Sequence, residues 1–336
     1  MPDKLVSIIL LTWNPQRFLN SCLDSISHQD YSHLELIVVD NGSTDGSVEN
    51  IRKKLESMEN IPWKLELLPT NTGFAAGMNR GIALSNGEFV LTLNQDVVLS
   101  PSYISKLVET LSRSNEKNAS ATGKVLRWDI EQDKKTDIID SAGHEIFTDR
   151  IVEARGKNQP SENYNSLCKV FGVSAAAACY SRGALNAVSL NGEYFDSDFF
   201  SYLEDIDLDY RFILSGYDSM FVHDAIAWHA LAGSGGRRNF SIRFKAHTNR
   251  YLVWVKNEVF SEMLKDLPAI LVQELFQFAR TLFTSPLLLF SWFVYPSKAI
   301  RTSRKGWKIY ANGKNYARIR PFIRCGRLRM KFSNQE

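Results

Sequence analysis

Glu35-Leu-Ile-Val-Val-Asp-Asn-Gly-Ser-Thr-Asp-Gly46 is the stretch from which the architecture can be worked out. Its first five residues are a strand-type run, and Asp40 stands where that run opens into a turn of Asn, Gly and Ser. Such a turn presents backbone donors and can cap a helix beginning near Ser47. Upstream, Val6-Ser-Ile-Ile-Leu-Leu11 is a second run of the same kind, ending at Thr12 and Asn14. Between the two, Phe18 to His28 places Leu19, Leu23 and Ile26 at helical spacing. Strand, helix and strand, with polar loops at the strand ends, predict an α/β domain with a mostly parallel sheet and a ligand at the carboxyl ends of its strands.

The pattern continues downstream. Trp63 to Leu68 is a short strand, and Asn71-Thr-Gly-Phe-Ala-Ala-Gly-Met-Asn-Arg-Gly81 is a polar turn followed by a helix of small residues. Those small residues allow close approach to a ligand or a neighbouring strand. Phe89-Val-Leu-Thr-Leu93 ends at Asn94-Gln-Asp96, and a helix runs from Tyr103 to Leu111. Residues 119–170 read as an irregular sheet extension or a substrate loop. Phe195 to Phe200 leads into the acidic helix Glu204-Asp-Ile-Asp207, and His229 precedes a glycine-rich stretch ending at Arg237 and Arg238. A lone strand-end aspartate is commonly a loop cap. The ordered recurrence of Asp40, Asp96 and the Glu204/Asp205 pair argues for chemistry instead: an Asp near a nucleotide accepts hydrogen bonds, whereas one near a diphosphate needs a cation between them.

At 336 residues with 44% hydrophobic content, the chain can bury one large core with a modest appendage. Its four cysteines form no Cys-x-x-Cys pair, which argues against a disulfide framework or thiolate zinc site and fits a reducing compartment. The N-terminal run is too short for a signal peptide, so a cytoplasmic location is expected. The net charge of +3 conceals an asymmetry. Residues 298–331 hold 12 of the 40 Lys and Arg, and the one acid after residue 297 is Glu336, so the tail carries +11; the remainder, 28 basic against 36 acidic, carries −8. The tail has no readable nucleic-acid-binding motif. It follows the apolar stretch 267–295, where Gln273, Glu274, Gln277 and Arg280 interrupt any membrane span. Interfacial amphipathic helices on an anionic membrane are expected, with a helical cap or a homodimer surface as the alternative.

Taken together, Val6-Ser-Ile-Ile-Leu-Leu-Thr-Trp-Asn14, Val39-Asp-Asn-Gly-Ser-Thr-Asp-Gly-Ser47, Asn71 to Asn79, Leu93-Asn-Gln-Asp-Val97 and Tyr202-Leu-Glu-Asp-Ile-Asp-Leu-Asp-Tyr-Arg211 resemble the family 2 glycosyltransferases. Over about residues 4–235 the pattern is most similar to the bacterial rhamnosyltransferase-like members with a GT-A fold. The resemblance implies an inverting, metal-dependent transferase that takes a nucleotide-sugar donor, dTDP-L-rhamnose first and a UDP-hexose next. The implied acceptor is a saccharide or polyprenyl-diphosphate-linked saccharide used for surface polysaccharide at the inner face of a bacterial plasma membrane.

By the same resemblance, Thr12, Asn14, Asp40, Asn41, Asn71, Gly73, Asn79, Asn94 and Arg237 would hold the nucleotide-sugar. Asp96, with Asn94 and His229, would hold Mg²⁺ or Mn²⁺, and Asp205 would be the base, with Glu204 orienting a hydroxyl or serving as the base itself. His223 and His247 are weaker metal candidates. Two departures stand out: Asn94 replaces the first carboxylate of the metal signature, and Ser174-Ala-Ala-Ala177 lacks the glycine usual there. The implied division is a catalytic domain over 1–240, with 1–115 for the nucleotide and 116–240 for metal and acceptor, and a helical basic region over 241–336. A carbohydrate-binding protein without catalysis is the alternative from another class.

Overall fold

The computed structural model describes residues 4–15, 17–113, 117–230, 240–290, 298–306 and 315–325. Strands β1 (Val6–Thr12), β2 (Leu34–Asp40) and β3 (Trp63–Leu67) alternate with helices α1 (Leu19–Ser27) and α2 (Ser47–Glu56). Helix α3 (Gly73–Ala83) then leads to β4 (Phe89–Asn94), β5 (Val97–Leu99) and α4 (Tyr103–Ser112). The runs of Val, Ile and Leu in β1, β2 and β4 are buried on both faces, which accounts for their lack of alternation. Ile8, Leu10, Leu36 and Val38 pack into one hydrophobic layer with α1, α2 and α4, while Ile9, Ile37 and Val39 pack into the other with α3. A Cβ at Gly77 or Gly81 would collide with Leu11 or Ile9, so the small residues of α3 seat the helix on the sheet rather than on a ligand.

Next come β6 (Asn118–Asp129), β7 (Lys134–Ser141), β8 (His144–Phe147), β9 (Val152–Ala154), β10 (Cys168–Val170) and β11 (Ala177–Ser181). Helices α5 (Arg182–Ala187) and α6 (Glu204–Leu214) and strand β12 (Asp218–His229) follow. The large sheet has the order β10-β12-β6-β11-β4-β1-β2-β3, with β5 added on β12 and β7 on β6. Along that path β12, β6, β4, β1, β2 and β3 run in one direction, and β10 and β11 in the other. Residues 119–170 thus form a sheet extension. Register sets Thr12 level with Asp40 and Leu11 level with Asn94, so the polar strand ends converge on one edge.

The C-terminal region is built onto this unit. Helices α7 (Phe240–Asn257), α8 (Phe260–Lys265) and α9 (Leu267–Thr284) are followed by a helical stretch over 298–306 and by β13 (Ile323–Arg324). Strand β13 pairs in parallel with β8, completing a small sheet of order β13-β8-β9. Lys256 of α7 is fully buried between Asp196 at 2.7 Å and Asp207 at 2.8 Å. Arg150, 1% exposed, is paired with Glu258 at 3.1 Å and Asp266 at 2.8 Å. Removing one member of such a buried pair costs about 3–5 kcal/mol, because its partner is left uncompensated. Several cations of the basic tail are engaged with the body of the chain. Arg301 and Lys305 pair with Asp198, Arg318 with Asp218, Arg320 with Glu262 and Asp266, and Arg324 with Glu145. Five of the seven Lys and Arg described between 298 and 325 thus pair with acids of the body. Among the described residues, no helix is long and apolar enough to cross a membrane.

Candidate active site

Where the polar strand ends converge lies a cavity of about 660 Å³. Thr12, Asn41, Asn71, Asn94 and Asp96 line it from the β1, β2 and β4 side, joined there by His229 at the end of β12, and Glu204 and Asp205 line it from the start of α6. The remaining site candidates stand off the cavity and shape its loops. Asp40 is 2% exposed and accepts hydrogen bonds from Thr12 Oγ1 at 3.2 Å and from the Ser43 amide at 2.9 Å. Asn14 accepts from the Thr44 amide at 2.9 Å. Gly73, at φ +86°, packs against the Phe200 carbonyl, and a Cβ there would strike it. Asn79 accepts from the amides of Tyr194 at 3.0 Å and Phe195 at 2.9 Å, so its side chain is occupied in tying α3 to the 194–197 segment. Arg237, with Arg238, lies outside the described residues.

Asn41 is itself largely engaged: its Oδ1 accepts from the Thr72 amide at 2.8 Å and its Nδ2 donates to the Gly73 carbonyl at 3.0 Å. Gln95 accepts from the Trp13 amide at 2.6 Å and donates to the Trp13 carbonyl at 3.0 Å, which holds the half-exposed indole at the cavity rim.

On the wall beside β4, His229 Nε2 lies 3.3 Å from Asp96 Oδ1, and its Nδ1 lies 3.0 Å from Asp140 Oδ2. Burial works to lower the imidazole pKa, but the Asp96 charge and the Asp140 hydrogen bond outweigh it and push the value up to about 10. Asp140 is in turn held below the ordinary carboxylate range by His229, against its own burial. A histidine whose far nitrogen is fixed by a carboxylate is oriented to offer the near one to a cation. Among the described residues, no three His, Cys, Asp or Glu side chains converge as a complete metal site. His223 and His247 lie away from this wall, and His247 is pushed down to about 4 by burial and by Arg250.

The opposite wall is the start of α6. Asp205 Oδ2 accepts from the Ala175 amide at 3.3 Å and lies 3.9 Å from His144 Nε2. Glu204 is 5% exposed, and among the described residues its Oε2 is buried without a hydrogen-bond partner. Burial, then the neighbouring Asp205, hold its carboxyl well above the ordinary range, which favours the neutral acid. The approach to α6 is strained: Phe200, Tyr202 and Leu203 all have φ between +63° and +74°. Asn249 of α7 holds this segment, its Nδ2 donating to the carbonyls of Phe199, Ser201 and Tyr202 at 2.8–3.0 Å.

Asp140, His144, Asp209, Asn249 and the cavity-lining Lys245 were not found by reading the sequence. Lys245 Nζ sits 3.6 Å from the centroid of the Phe200 ring. One signal was available: Asp205 and Asp209 are four apart on a helix and therefore share a face.

Comparison with known proteins identifies the family and the fold. The profile described as "Glycosyl transferase family 2" matches residues 7–188. The chain is 30% identical over 131 residues to an uncharacterized glycosyltransferase of Haemophilus influenzae, covering 38% of this chain and 39% of that relative. It is 26% identical over 277 residues to an N-acetylglucosaminyl-diphospho-decaprenol L-rhamnosyltransferase of Mycobacterium tuberculosis, covering 75% of this chain and 84% of the other. A mannosyltransferase of Pyrobaculum calidifontis, solved with GDP-Man and Mn²⁺, superposes with a TM-score of 0.53 at 18% identity, over 95% of this chain and 78% of that one. At that identity the likeness speaks for the fold, which is GT-A.

Proposed function

This chain belongs to glycosyl transferase family 2, and from that premise we propose that it transfers a sugar, with inversion, from a nucleotide-sugar to a saccharide acceptor. The observation that carries this reading is one cavity with Asp96 and His229 on one wall and Glu204 and Asp205 on the other. In the proposed reaction Asp205 takes the proton of the acceptor hydroxyl. The hydroxyl oxygen bonds to the anomeric carbon, and the bond from that carbon to the diphosphate oxygen breaks with its electron pair on the leaving group. Asp205 suits the base because it reaches the cavity, whereas Glu204, as a neutral acid, suits donation of a hydrogen bond to a sugar hydroxyl. Asp40, with Thr12, Asn14, Asn41, Asn71, Gly73 and Asn79, shapes the nucleotide side, mostly by fixing loops.

The oxygen of Asp96 and the imidazole of His229, backed by Asp140, fit a hard divalent cation completed by diphosphate oxygens and by Asn94. Mg²⁺ or Mn²⁺ bound there would offset the charge gathering on the leaving diphosphate. The named activity of the mycobacterial relative supports L-rhamnose as the sugar transferred, for which dTDP-L-rhamnose is the donor proposed, and a polyprenyl-diphosphate-linked saccharide as acceptor. In this reading residues 1–240 are catalytic, and 241–336 support them and meet a membrane surface. That surface is supported by the exposed stripe Leu267, Leu271, Leu275, Phe278 and Leu282 on α9, with Phe283 84% exposed beside it.

Transfer from dTDP-L-rhamnose and from UDP-hexoses to a lipid-linked saccharide, with NMR of the product's anomeric configuration, tests the reaction. Inversion is expected; retention would exclude this mechanism, and glycan binding without transfer would favour a binding protein. Leu275→Glu with Phe283→Glu should reduce cosedimentation with anionic vesicles and spare turnover on a soluble acceptor; undiminished cosedimentation would remove the membrane assignment.

A further inference from the structure

Behind Asp205 stands a second pair of groups that the proposed reaction does not use. His144, the first residue of β8, projects between Asp205 and Asp209, which lie on one face of α6. Its Nδ1 is 2.7 Å from Asp209 Oδ2, its backbone amide donates to the Gly172 carbonyl at 2.8 Å, and its Nε2 faces Asp205 Oδ2 at 3.9 Å. Asp209 is 1% exposed, and its Oδ1 accepts from the Val173 amide at 3.0 Å. A Cβ at Gly172 would occupy the place of the Asp209 carboxylate, so that position admits only glycine if the carboxylate is to stand behind the ring.

The arrangement does more than fill space. An apolar pair would pack here without the desolvation that a buried carboxylate and imidazole incur. With Nδ1–H donating to Asp209, the neutral ring presents the Nε2 lone pair toward Asp205. His144 also lines the cavity, so a proton it receives has a way out to water.

We propose that His144, held by Asp209, takes from Asp205 the proton that Asp205 has removed from the acceptor hydroxyl, and so restores the carboxylate for the next turnover. This rests on the reading of Asp205 as base. The balance is simple. The acceptor O–H proton passes to Asp205 Oδ2 as the new glycosidic bond forms; a small rotation closes the gap to Nε2; the proton moves to Nε2; the imidazolium between two carboxylates then releases a proton through the open cavity. The titratable groups around the pair are Asp205, Asp209 and Glu204 from α6, Tyr180 from β11 and, on the adjacent strand β9, the cavity-lining Glu153. Burial raises Asp209 to about 7 against the pull of His144, while burial lowers His144 and the two aspartates raise it past that, so the two groups titrate together rather than singly.

The test compares His144→Ala, His144→Gln and Asp205→Asn in the full chain, with folding followed by thermal melting. His144→Ala should lower kcat by roughly tenfold or more with donor affinity within about twofold of the parent. Added imidazole should restore kcat in proportion to its free-base form, and the acid limb of the kcat–pH profile should move. His144→Gln keeps a hydrogen bond to Asp209 but cannot carry a proton, and should be as slow as the alanine variant. Parental turnover in His144→Gln, or a loss in His144→Ala with no imidazole rescue and an unmoved pH profile, overturns the relay. If His144→Ala fails to fold, the glutamine variant alone decides. Asp205→Asn separates the two ideas: if it turns over normally the base assignment falls and the relay with it, whereas an inert Asp205→Asn beside a normal His144→Gln removes the relay alone.

Discussion

Two histidines sit on facing walls of one cavity, and each is bracketed by two aspartates. His229 is held between Asp96 at 3.3 Å and Asp140 at 3.0 Å, and His144 between Asp209 at 2.7 Å and Asp205 at 3.9 Å. The distances differ in what they permit. Both nitrogens of His229 are close to carboxylates, so the ring carries charge until something displaces it, and its pKa is pushed up to about 10. His144 is bonded tightly to Asp209 on one side and left with a gap on the other, the side toward Asp205, the proposed base. In the proposed reaction the same residue types would make a seat for a cation in one place and a proton acceptor in the other, with spacing separating the roles.

The largest effect expected from breaking this contrast is at Asp205. Asp205→Asn should lower kcat by about 10²–10⁴-fold while donor binding, followed by calorimetry, stays near the parental value; loss of donor binding together with turnover would mean that the two walls are not separable. An intermediate effect is expected on the other wall. Asp140→Asn should weaken Mn²⁺ binding by about 10–100-fold and recover most turnover at saturating cation, because it acts only through His229. An unaltered Mn²⁺ titration would detach Asp140 from the cation seat.

The smallest effect is one of pH. At pH 7 the cation-free imidazole of His229 is protonated, so a cation taking Nε2 must release that proton, and affinity should fall as pH falls. Calorimetry in two buffers of different ionisation enthalpy should report about one proton released per Mn²⁺. Zero release would place the cation away from His229. The linked stability has a definite sign. A raised imidazole pKa contributes stability fully present below the unfolded value of about 6.5 and lost as pH rises through about 10. The cation-free protein should therefore melt lower at pH 10.5 than at pH 7.

The wall beside β4 was the more legible of the two. Strands β1, β2 and β4 announce themselves as unbroken Val, Ile and Leu runs, and their ends at Asp40 and Asn94-Gln-Asp96 are local signals. The acidic start of α6 was legible for the same reason. Asp140 and His144 were not, because β7 and β8 owe their places to pairing with β6 and β13, and neither residue stands in a periodic or turn-marked context. Asn249 was hidden likewise: its task, three carbonyls of a strained segment nearly fifty positions away, leaves no trace in its neighbours. The small residues of α3 were noticed, but their reason is the side chains of Leu11 and Ile9 beneath them. A count of the tail's cations cannot see that Lys305, Arg318 and Arg320 face acids of the body.

The pairing of β13 with β8 has a consequence for biosynthesis. Ile146 and Phe147 find their partners in Ile323 and Arg324, and the Thr148 amide donates to the Arg324 carbonyl at 2.9 Å. On a ribosome adding about 5–20 residues each second, the strand that begins at His144 waits roughly 10–35 s for the segment that borders it. Through that interval β8 has a bare edge, the kind of edge to which other extended chains add. The small sheet that carries His144 is therefore completed late, and a nascent chain stalled before Ile323 leaves that edge of β8 unpaired.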